Sequence, residues 1–168
     1  IGGLVGQNIR GNITDSYSSS AASGKSNVGG LAGYWEKYWL INSYAVGSVS
    51  APFASPGIGG LMGASNGAYI LSSYWDWLTT NQTKNAGIDS PSMYRTTLQM
   101  KSQSTFQNWD FDHVWGIREG KTYPYLLAFK PMPKVNALTR TTYDLTPGQD
   151  QLAVTGTVLD GSVGEAVE

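Results

Sequence analysis

The sequence lacks cysteine, has a single histidine and carries few charged side chains. Without cysteine, disulfides, thiolate metal sites and a cysteine nucleophile are all excluded. The lone His113 excludes a metal site built from two or more histidines. Charged residues make up 14% of the chain and the formal net charge is −1, so no strong electrostatic field attracts nucleic acid or an anionic membrane.

Long apolar runs are also missing, and no stretch has the pattern of a signal peptide. We therefore expect no membrane insertion. The sequence opens inside a repeat and without methionine, which predicts a piece of a longer protein. On that interpretation, flanking repeats of the parent chain are among the partners of this region.

What the chain has in quantity is glycine and aromatic residues, with 21 Gly, 10 Tyr and 6 Trp. Together with many Ser, Thr and Asn, this composition is typical of a β-rich protein with frequent tight turns. Helix should be scarce.

An internal repeat organises the first part of the chain. The pattern Gly-Gly-Leu-x-Gly begins at Gly2, Gly29 and Gly59. A Ser-Tyr pair follows each copy at a fixed distance, and aliphatic residues stand before each glycine pair and before each serine. The Ser-Tyr pairs are Ser16-Tyr17, Ser43-Tyr44 and Ser73-Tyr74. The aliphatic residues before the glycine pairs are Ile1, Val28 and Ile58, and those before the serines are Ile13, Leu40 and Ile70. A repeat of this length predicts a stacked array, because one unit alone has no partner on which to bury its apolar residues.

This pattern resembles the GLUG-motif repeats of bacterial cell-surface and secreted proteins. The resemblance extends from Ile1 to about Trp75 and continues more loosely through Phe106 to Leu127, which is similar to the segment that often closes such arrays. It implies an all-β fold, a short β-solenoid, and a surface module without a reaction of its own. The family occurs in adhesins, filamentous surface proteins and non-catalytic parts of some secreted peptidases.

The second repeat departs from the pattern by placing aromatic residues in its turn. Tyr34, Trp35, Tyr38 and Trp39 stand where the first repeat has Asn and Gly. One interpretation is a local cluster that covers the wall of the array. The other is a binding platform, since Tyr and Trp dominate interaction hot spots and aromatic faces stack on sugar rings. Trp75 and Trp77 form a second candidate pair, for which packing is the simpler interpretation.

The segment after the repeats predicts closure of the array. Residues 79–91 read as an irregular surface loop. A helix is expected at Thr97–Ser102 with Thr96 as its N-cap, covering the open end of the stack. Between Phe106 and Phe129, alternating aromatic and polar residues predict two short strands around a turn at Glu119-Gly120.

The end of the chain predicts a change of domain. Residues 1–129 form the repeat domain with its closing segment, and residues 130–134, Lys-Pro-Met-Pro-Lys, predict a linker. Residues 135–168 read as the start of a small Ig-like β module or as a packed tail. So short a segment has too little apolar surface for an independent core.

No residue pattern points to catalysis, a cofactor or a metal. His113 is expected to be a structural histidine in the closing strand. Asp110 and Asp112, two apart on a predicted strand, share a face, which indicates an outward polar face or a weak Ca²⁺ site. No acidic ladder of the kind that glycan-cleaving β-solenoids need runs along the repeats.

These observations predict a non-enzymatic, extracellular module at the bacterial cell surface, acting as a stalk or as a receptor- or glycan-binding face. Its expected ligand is a glycan or surface protein of a host or a neighbouring cell, and nucleic acid is not expected. The alternative is an accessory, non-catalytic region of a secreted peptidase or other hydrolase. A zinc-binding His-Glu-x-x-His helix downstream would favour the hydrolase, whereas more repeats or a cell-wall anchor would favour the adhesin.

Overall fold

The computed structural model describes residues 1–52, 57–86, 88–89 and 93–129, and two short strands at 158–159 and 166–167. The chain divides into two compact bodies, Ile1–Ala128 and Phe129–Glu168. The first body contains the three repeats and the segment that follows them. Both are mostly β.

The three repeats begin at Ile1, Val28 and Ile58 and each forms a similar series of short strands. The first contains β1 (Val5–Ile9), β2 (Ile13–Thr14), β3 (Tyr17–Ser18) and β4 (Ala22–Ser23). The second contains β5 (Val28–Gly29), β6 (Ala32–Glu36), β7 (Trp39–Ile41), β8 (Tyr44–Ala45) and β9 (Val49–Ser50). The third contains β10 (Ile58–Gly59), β11 (Met62–Asn66), β12 (Tyr69–Leu71) and β13 (Tyr74–Asp76).

Equivalent strands of successive repeats pair in parallel and in the register that the repeat alignment gives. The three longer sheets run β1–β6–β11, β2–β7–β12 and β3–β8–β13. In the third of these, Tyr17, Tyr44 and Tyr74 are direct partners. The expected stacking of the repeats is therefore present as parallel sheets.

The inward side of these sheets forms one apolar cluster. Its fully buried members are Leu31, Ala32, Trp35, Leu40, Ala45, Leu61, Met62 and Trp75. Burial of such side chains stabilises a fold by roughly 1.5–3 kcal/mol each, before the loss of chain entropy is counted. The repeated leucine of Gly-Gly-Leu belongs to this cluster in the second and third repeats.

The second glycine of each pair is required by close approach of neighbouring atoms. A Cβ placed on Gly60 would lie 2.2 Å from the indole ring of Trp75, and one on Gly30 would lie 2.2 Å from the carbonyl oxygen of Gly60. Because no side chain fits in either space, this position of the repeat is restricted to glycine.

The serine of each Ser-Tyr pair takes part in a ladder of hydrogen bonds that joins the repeats. Each hydroxyl donates to the carbonyl oxygen two residues earlier, at 2.8 Å for Ser16, 2.8 Å for Ser43 and 3.0 Å for Ser73. In the second and third repeats the hydroxyl also accepts an N–H from the repeat before it, since Ser16 N donates to Ser43 Oγ and Ser43 N donates to Ser73 Oγ. The recurrence of serine follows from these two simultaneous bonds.

The segment after the third repeat covers the exposed edge of that repeat. It comprises α1 (Trp77–Thr80), β14 (Lys84–Asn85), β15 (Ile88–Asp89) and β16 (Tyr94–Arg95). Strand β16 pairs with β13, and Gly60 N donates to the carbonyl oxygen of Lys84 at 2.9 Å. The prediction of an irregular loop at residues 79–91 is therefore wrong for residues 79–80, 84–85 and 88–89, which are helix or strand.

Asn85 makes the main contact of this cap. Its Oδ1 accepts the backbone N–H groups of Leu61 and Met62 at 3.1 and 2.6 Å. At the two earlier junctions a backbone carbonyl has this role. The carbonyl oxygen of Leu61 accepts the N–H groups of Leu31 and Ala32, and the carbonyl oxygen of Leu31 accepts those of Leu4 and Val5. The side-chain amide thus takes the place of the next backbone carbonyl.

The second helix begins where the sequence predicts it. Helix α2 (Thr97–Met100) has Thr96 as its N-cap, in a capping box with Gln99. It ends two residues before the predicted Ser102. Its buried residue, Met100, belongs to a cluster with Tyr44 and Tyr74, so the helix also packs beside the Ser-Tyr sheet. The backbone edge of the third repeat is paired by β14 and β16, not by this helix.

The closing segment then lies against the outward tyrosines. After a 3₁₀ turn at Gln103–Thr105, strands β17 (Trp115–Gly116) and β18 (Tyr125–Leu126) form an antiparallel pair. The predicted strand pair is present, but it is shorter than predicted, because residues 107–108 and 111–114 are turns and residues 109–110 are irregular. A second 3₁₀ turn, Leu127–Phe129, follows β18.

In the second body, the described residues are the antiparallel pair β19 (Val158–Leu159) and β20 (Ala166–Val167). The predicted linker at 130–134 lies outside the described residues. The same is true of most of the predicted Ig-like module at 135–168.

Candidate functional site

The outward side of the sheet β2–β7–β12 carries exposed apolar side chains. We call it the open face. Its positions are Asn12 and Thr14 in the first repeat, Trp39 and Ile41 in the second, and Tyr69 and Leu71 in the third. Alternation along each strand sends the residues between them, Ile13, Leu40 and Ile70, to the core side.

Trp39 and Tyr69 form the centre of the open face. They are direct partners in β7 and β12, and their rings stack with centroids 4.9 Å apart and planes inclined by 30°. Trp39 is 43% exposed, Tyr69 57% and Leu71 50%. A contiguous group of large apolar side chains on one flat surface is a typical mark of an interaction site.

A strained turn places Tyr38 and Trp39 at the start of this face. Lys37 and Tyr38 have φ of 57° and 62°, a left-handed conformation that is uncommon for residues with a side chain. The buried indole of Trp35 holds the turn by donating Nε1–H to the carbonyl oxygen of Lys37 at 2.7 Å. Trp39 N then donates to Asn12 Oδ1 at 3.0 Å.

The same position closes this turn in every repeat, by different chemistry. In the first repeat, Asn8 Nδ2 donates to the carbonyl oxygen of Gly11 at 2.6 Å. In the third, Ala68 N donates to Ser65 Oγ at 3.1 Å. Asn8, Trp35 and Ser65 are partners in the sheet β1–β6–β11. All three repeats therefore close this turn with a side chain at the same position, and the second repeat uses Trp35.

The structure separates the aromatic residues that the sequence had grouped together. Tyr38 and Trp39 are exposed, whereas Trp35 and Trp75 have no exposed surface. A surface-binding role for Trp35 and Trp75 is therefore wrong, because a buried ring offers no face to a ligand. Trp75 instead donates its indole N–H to the carbonyl oxygen of Gln82.

The remaining two candidates lie away from the open face. Tyr34 is half-buried on β6, in the neighbouring sheet. Trp77 is half-buried in α1 and packs against the core cluster, with its ring edge toward Tyr94. Neither residue joins the Trp39–Tyr69 stack.

Tyr69 and Leu71 are the residues of this face that sequence reasoning missed. Both were detectable, because aligning the repeats on their first glycine puts Tyr69 at the position of Trp39 and Leu71 at that of Ile41. Counting aromatics within a single turn hides this relation. Parallel in-register stacking brings equivalent residues together across repeats, however far apart they are in the chain.

The predicted polar strand at Asp110 and Asp112 is a turn. Asp110 Oδ1 accepts the backbone N–H groups of Asp112 and His113 at 3.0 and 2.9 Å. The bond from His113 N is the main cause that holds the pKa of Asp110 below its usual range. His113 is an exposed residue of this turn, so its placement in a closing strand is wrong. Among the described residues, no three Asp, Glu, Cys or His side chains are grouped so as to hold a metal ion.

A buried carboxylate, Asp76 of β13, joins α1, α2 and the loop before β18 next to the tyrosine side of the stack. Its Oδ1 caps α1 by accepting Leu78 N at 2.9 Å, and its Oδ2 accepts the hydroxyls of Thr97 at 2.6 Å and Tyr123 at 2.7 Å. Burial, followed by the bond to Asp76, raises the pKa of Tyr123 to about 12. Burial likewise raises the pKa of Tyr44. Both tyrosines are thereby kept as neutral hydrogen-bond donors.

Comparison with known proteins finds one informative relative. A protein of Evansella cellulosilytica named "Putative Gly-rich membrane protein" is 39% identical over 105 residues, which cover 59% of this chain and 12% of that protein. The chain thus corresponds to a small part of a much longer relative. No protein-family model and no solved structure matches it. In the part of the chain that the structure describes, no helix is both long and apolar enough to cross a bilayer.

Proposed function

We propose that this chain is a non-enzymatic, glycan-binding module of a bacterial surface or secreted protein, and that the open face is its binding site. In this proposal the stacked repeats are turns of a short β-solenoid of the GLUG-motif type. The single observation that carries the proposal is the exposed Trp39–Tyr69 stack on a flat sheet surface.

The β-solenoid part of the proposal is supported by the register of the sheets. Three sheets pass through all three repeats in the same order, so the chain returns to the same side of the stack once per repeat. The serine ladder and the glycine contacts recur at equivalent positions of the repeats. Such nearest-neighbour recurrence is typical of solenoid architectures.

An extracellular setting is supported by two independent features. The long relative is named as a membrane protein, and the repeats resemble the GLUG-motif repeats of bacterial cell-surface and secreted proteins. Arrays of stacked repeats also make good stalks and extended binding surfaces. The proposed location is therefore the bacterial cell surface or the surrounding medium.

The chemistry of the open face favours a carbohydrate. Half-exposed aromatic rings offer apolar area to the C–H faces of a sugar ring, and Thr14 and Asn12 supply hydroxyl and amide groups beside them. Exposed Lys37 stands next to Tyr38 at the rim. The outward side of a sheet suits an extended polysaccharide better than a small ligand, because small-molecule sites are concave.

The experiment is a glycan-array screen of the whole chain beside the double variant Trp39→Ala, Tyr69→Ala. We expect specific binding by the parent chain and at least about a tenfold loss of affinity in the double variant. Circular dichroism establishes that both proteins fold.

Tyr34→Ala is the matched control, because it removes an aromatic ring near the same turn but on the neighbouring sheet. It should retain the parent affinity. Loss of binding in Tyr34→Ala with retention in the double variant would move the site to the other sheet. No glycan binding by the parent chain would refute the carbohydrate assignment.

A further inference from the structure

The two ends of the repeat stack are built differently. After the third repeat, β14 and β16 pair with its backbone, and Asn85 Oδ1 accepts two of its N–H groups. At the opposite end, β1, β2 and β3 are the outermost strands of their sheets among the described residues. The third-repeat end is therefore covered at β13 and at the N–H groups of Leu61 and Met62, although β11 and β12 are outermost strands there, whereas none of the described residues covers β1, β2 or β3.

Apolar side chains that are buried in the later repeats are exposed at this first edge. Leu4 is 49% exposed, although its equivalents Leu31 and Leu61 have no exposed surface. Ile1 is 54% exposed, whereas its equivalent Val28 is fully buried. Leu4 and Ile1 are therefore apolar residues of the kind that is buried at the equivalent positions.

The first repeat has hydrogen-bond acceptors at the positions where the later repeats have them. The carbonyl oxygens of Leu31 and Leu61 each accept two N–H groups from the preceding repeat, and Leu4 stands at the equivalent position. Ser43 and Ser73 each accept one N–H from the preceding repeat, and Ser16 is their equivalent. The first edge therefore offers the acceptors that every other junction uses.

The edge also lacks the usual protection against pairing. Exposed edge strands are commonly blunted by charged side chains or proline. None of the residues in β1, β2 or β3 is charged, and none is proline. This composition suits an edge that is covered by another strand.

The path of the chain at Ile1 matches the path between repeats. The nitrogen of Ile1 donates to the carbonyl oxygen of Asn27 at 2.7 Å, just as Val28 N donates to that of Gly57 at 3.0 Å. A chain that arrives from another repeat would reach Ile1 along the route by which Asn27 reaches Val28.

We propose that the first edge is a docking surface for a further Gly-Gly-Leu-x-Gly repeat in the same polypeptide, joined directly to Ile1 and pairing in parallel in the register of the existing repeats. The argument is continuity with the two repeat junctions already present. The incoming repeat covers Leu4 and donates its backbone N–H groups to the carbonyl oxygen of Leu4 and the hydroxyl of Ser16.

The test is to fuse a second copy of residues 1–27 directly before Ile1 of the whole chain. We expect the melting temperature to rise by about 4 °C or more, because a new junction of the native kind is added. The N–H of Tyr17, equivalent to the Tyr44 N–H that donates to Ser16, should exchange with solvent at least about tenfold more slowly.

The matched control carries the same extension with Asp in place of the leucine in its Gly-Gly-Leu. It should leave the melting temperature and the exchange of Tyr17 at the values of the parent chain. Leu4→Asn should change the melting temperature of the parent chain only slightly, because Leu4 is exposed there. In the fused protein the same substitution should abolish most of the gain in melting temperature.

Two results would overturn the proposal. One is a fused protein whose Tyr17 exchanges as fast as in the parent. The other is a parent chain that forms dimers by light scattering and becomes monomeric on Leu4→Asn, because the occupant of the edge would then be a second copy.

Discussion

Two surfaces of the stack carry ring pairs at almost the same centroid distance. On the Ser-Tyr side, which we call the tyrosine face, Tyr17 and Tyr44 stack with centroids 5.1 Å apart. On the open face, Trp39 and Tyr69 stack at 4.9 Å. Parallel strands in register bring each of these two pairs of equivalent rings to this distance. The main difference between the two faces is that only one of them is covered by other described residues.

The tyrosine face is covered by the closing segment. Phe106, Trp109 and Trp115 are buried against Tyr44 and its neighbours. Polar groups fix the cover in place, since Trp115 Nε1 donates to Asp15 Oδ1 at 3.1 Å and the hydroxyl of Tyr44 donates to the carbonyl oxygen of Pro124 at 2.5 Å. The open face has no comparable layer in the described part of the chain. We therefore expect substitutions on the tyrosine face to lower stability strongly, and substitutions on the open face to change binding.

The largest effect is expected from Trp115→Ala, which removes the centre of the cover. Trp115 is fully buried and packs on Tyr17, Tyr44 and Trp109. We expect the free energy of unfolding to fall by about 3–5 kcal/mol, from lost burial and the cavity left behind. Urea unfolding followed by circular dichroism measures it. A loss below about 1 kcal/mol would mean that the cover adds little to the stack.

Asp76→Asn tests how the cover is tied to the third repeat. The amide would present N–H groups to the Thr97 and Tyr123 hydroxyls, which now donate to the carboxylate. We expect a loss of about 1–3 kcal/mol in the same unfolding measurement. Asp110→Asn is the control, because that carboxylate also accepts two backbone N–H groups but lies at an exposed turn. It should cause a clearly smaller loss, and an equal loss would refute the special role of Asp76.

Alkaline pH should loosen the tyrosine face. The pKa of Tyr123 is raised to about 12 in the folded chain, above the value of about 10 for an unfolded tyrosine. A raised pKa contributes stability that is present below about pH 10 and is lost as pH rises through about 12. Unfolding by urea at several alkaline pH values measures this loss. Tyr123→Phe should lose less stability across that window, and an unchanged slope would contradict the assignment.

The smallest effect on stability is expected from the double variant of the open face, Trp39→Ala with Tyr69→Ala. Both rings are about half exposed, so their removal costs mainly their mutual stacking, about 1 kcal/mol. Urea unfolding provides the comparison with Trp115→Ala. A loss as large as that of Trp115→Ala would show that the open face is a structural layer like the tyrosine face.

Features that recur across the repeats were predictable from the sequence. Fixed spacing gave the register that pairs Tyr17, Tyr44 and Tyr74, because equivalent residues of stacked repeats must meet. The start of α2 at Thr96 was predictable too, since its capping box is formed by neighbours in the chain. Local and periodic signals are the ones that a single sequence contains.

Features that depend on contacts between distant segments were not predictable. Helix α1 is a single turn whose N-cap, Asp76, is held by Thr97 and Tyr123. The inward direction of Trp35 follows from the bond its indole makes to the turn, which alternation of apolar residues does not specify. At Asp110, one side chain accepting two backbone N–H groups replaces the expected strand with a turn.

Asn85 gives the array a termination signal. Its amide oxygen stands where another repeat would place a backbone carbonyl, and therefore accepts the N–H groups of Leu61 and Met62 without offering a strand at that point. Inserting a fourth repeat after the third would require moving Asn85, because its side chain already occupies the acceptor position of the next repeat. The stop at this end of the array is thus written in a side chain, whereas the register of the repeats is written in the backbone.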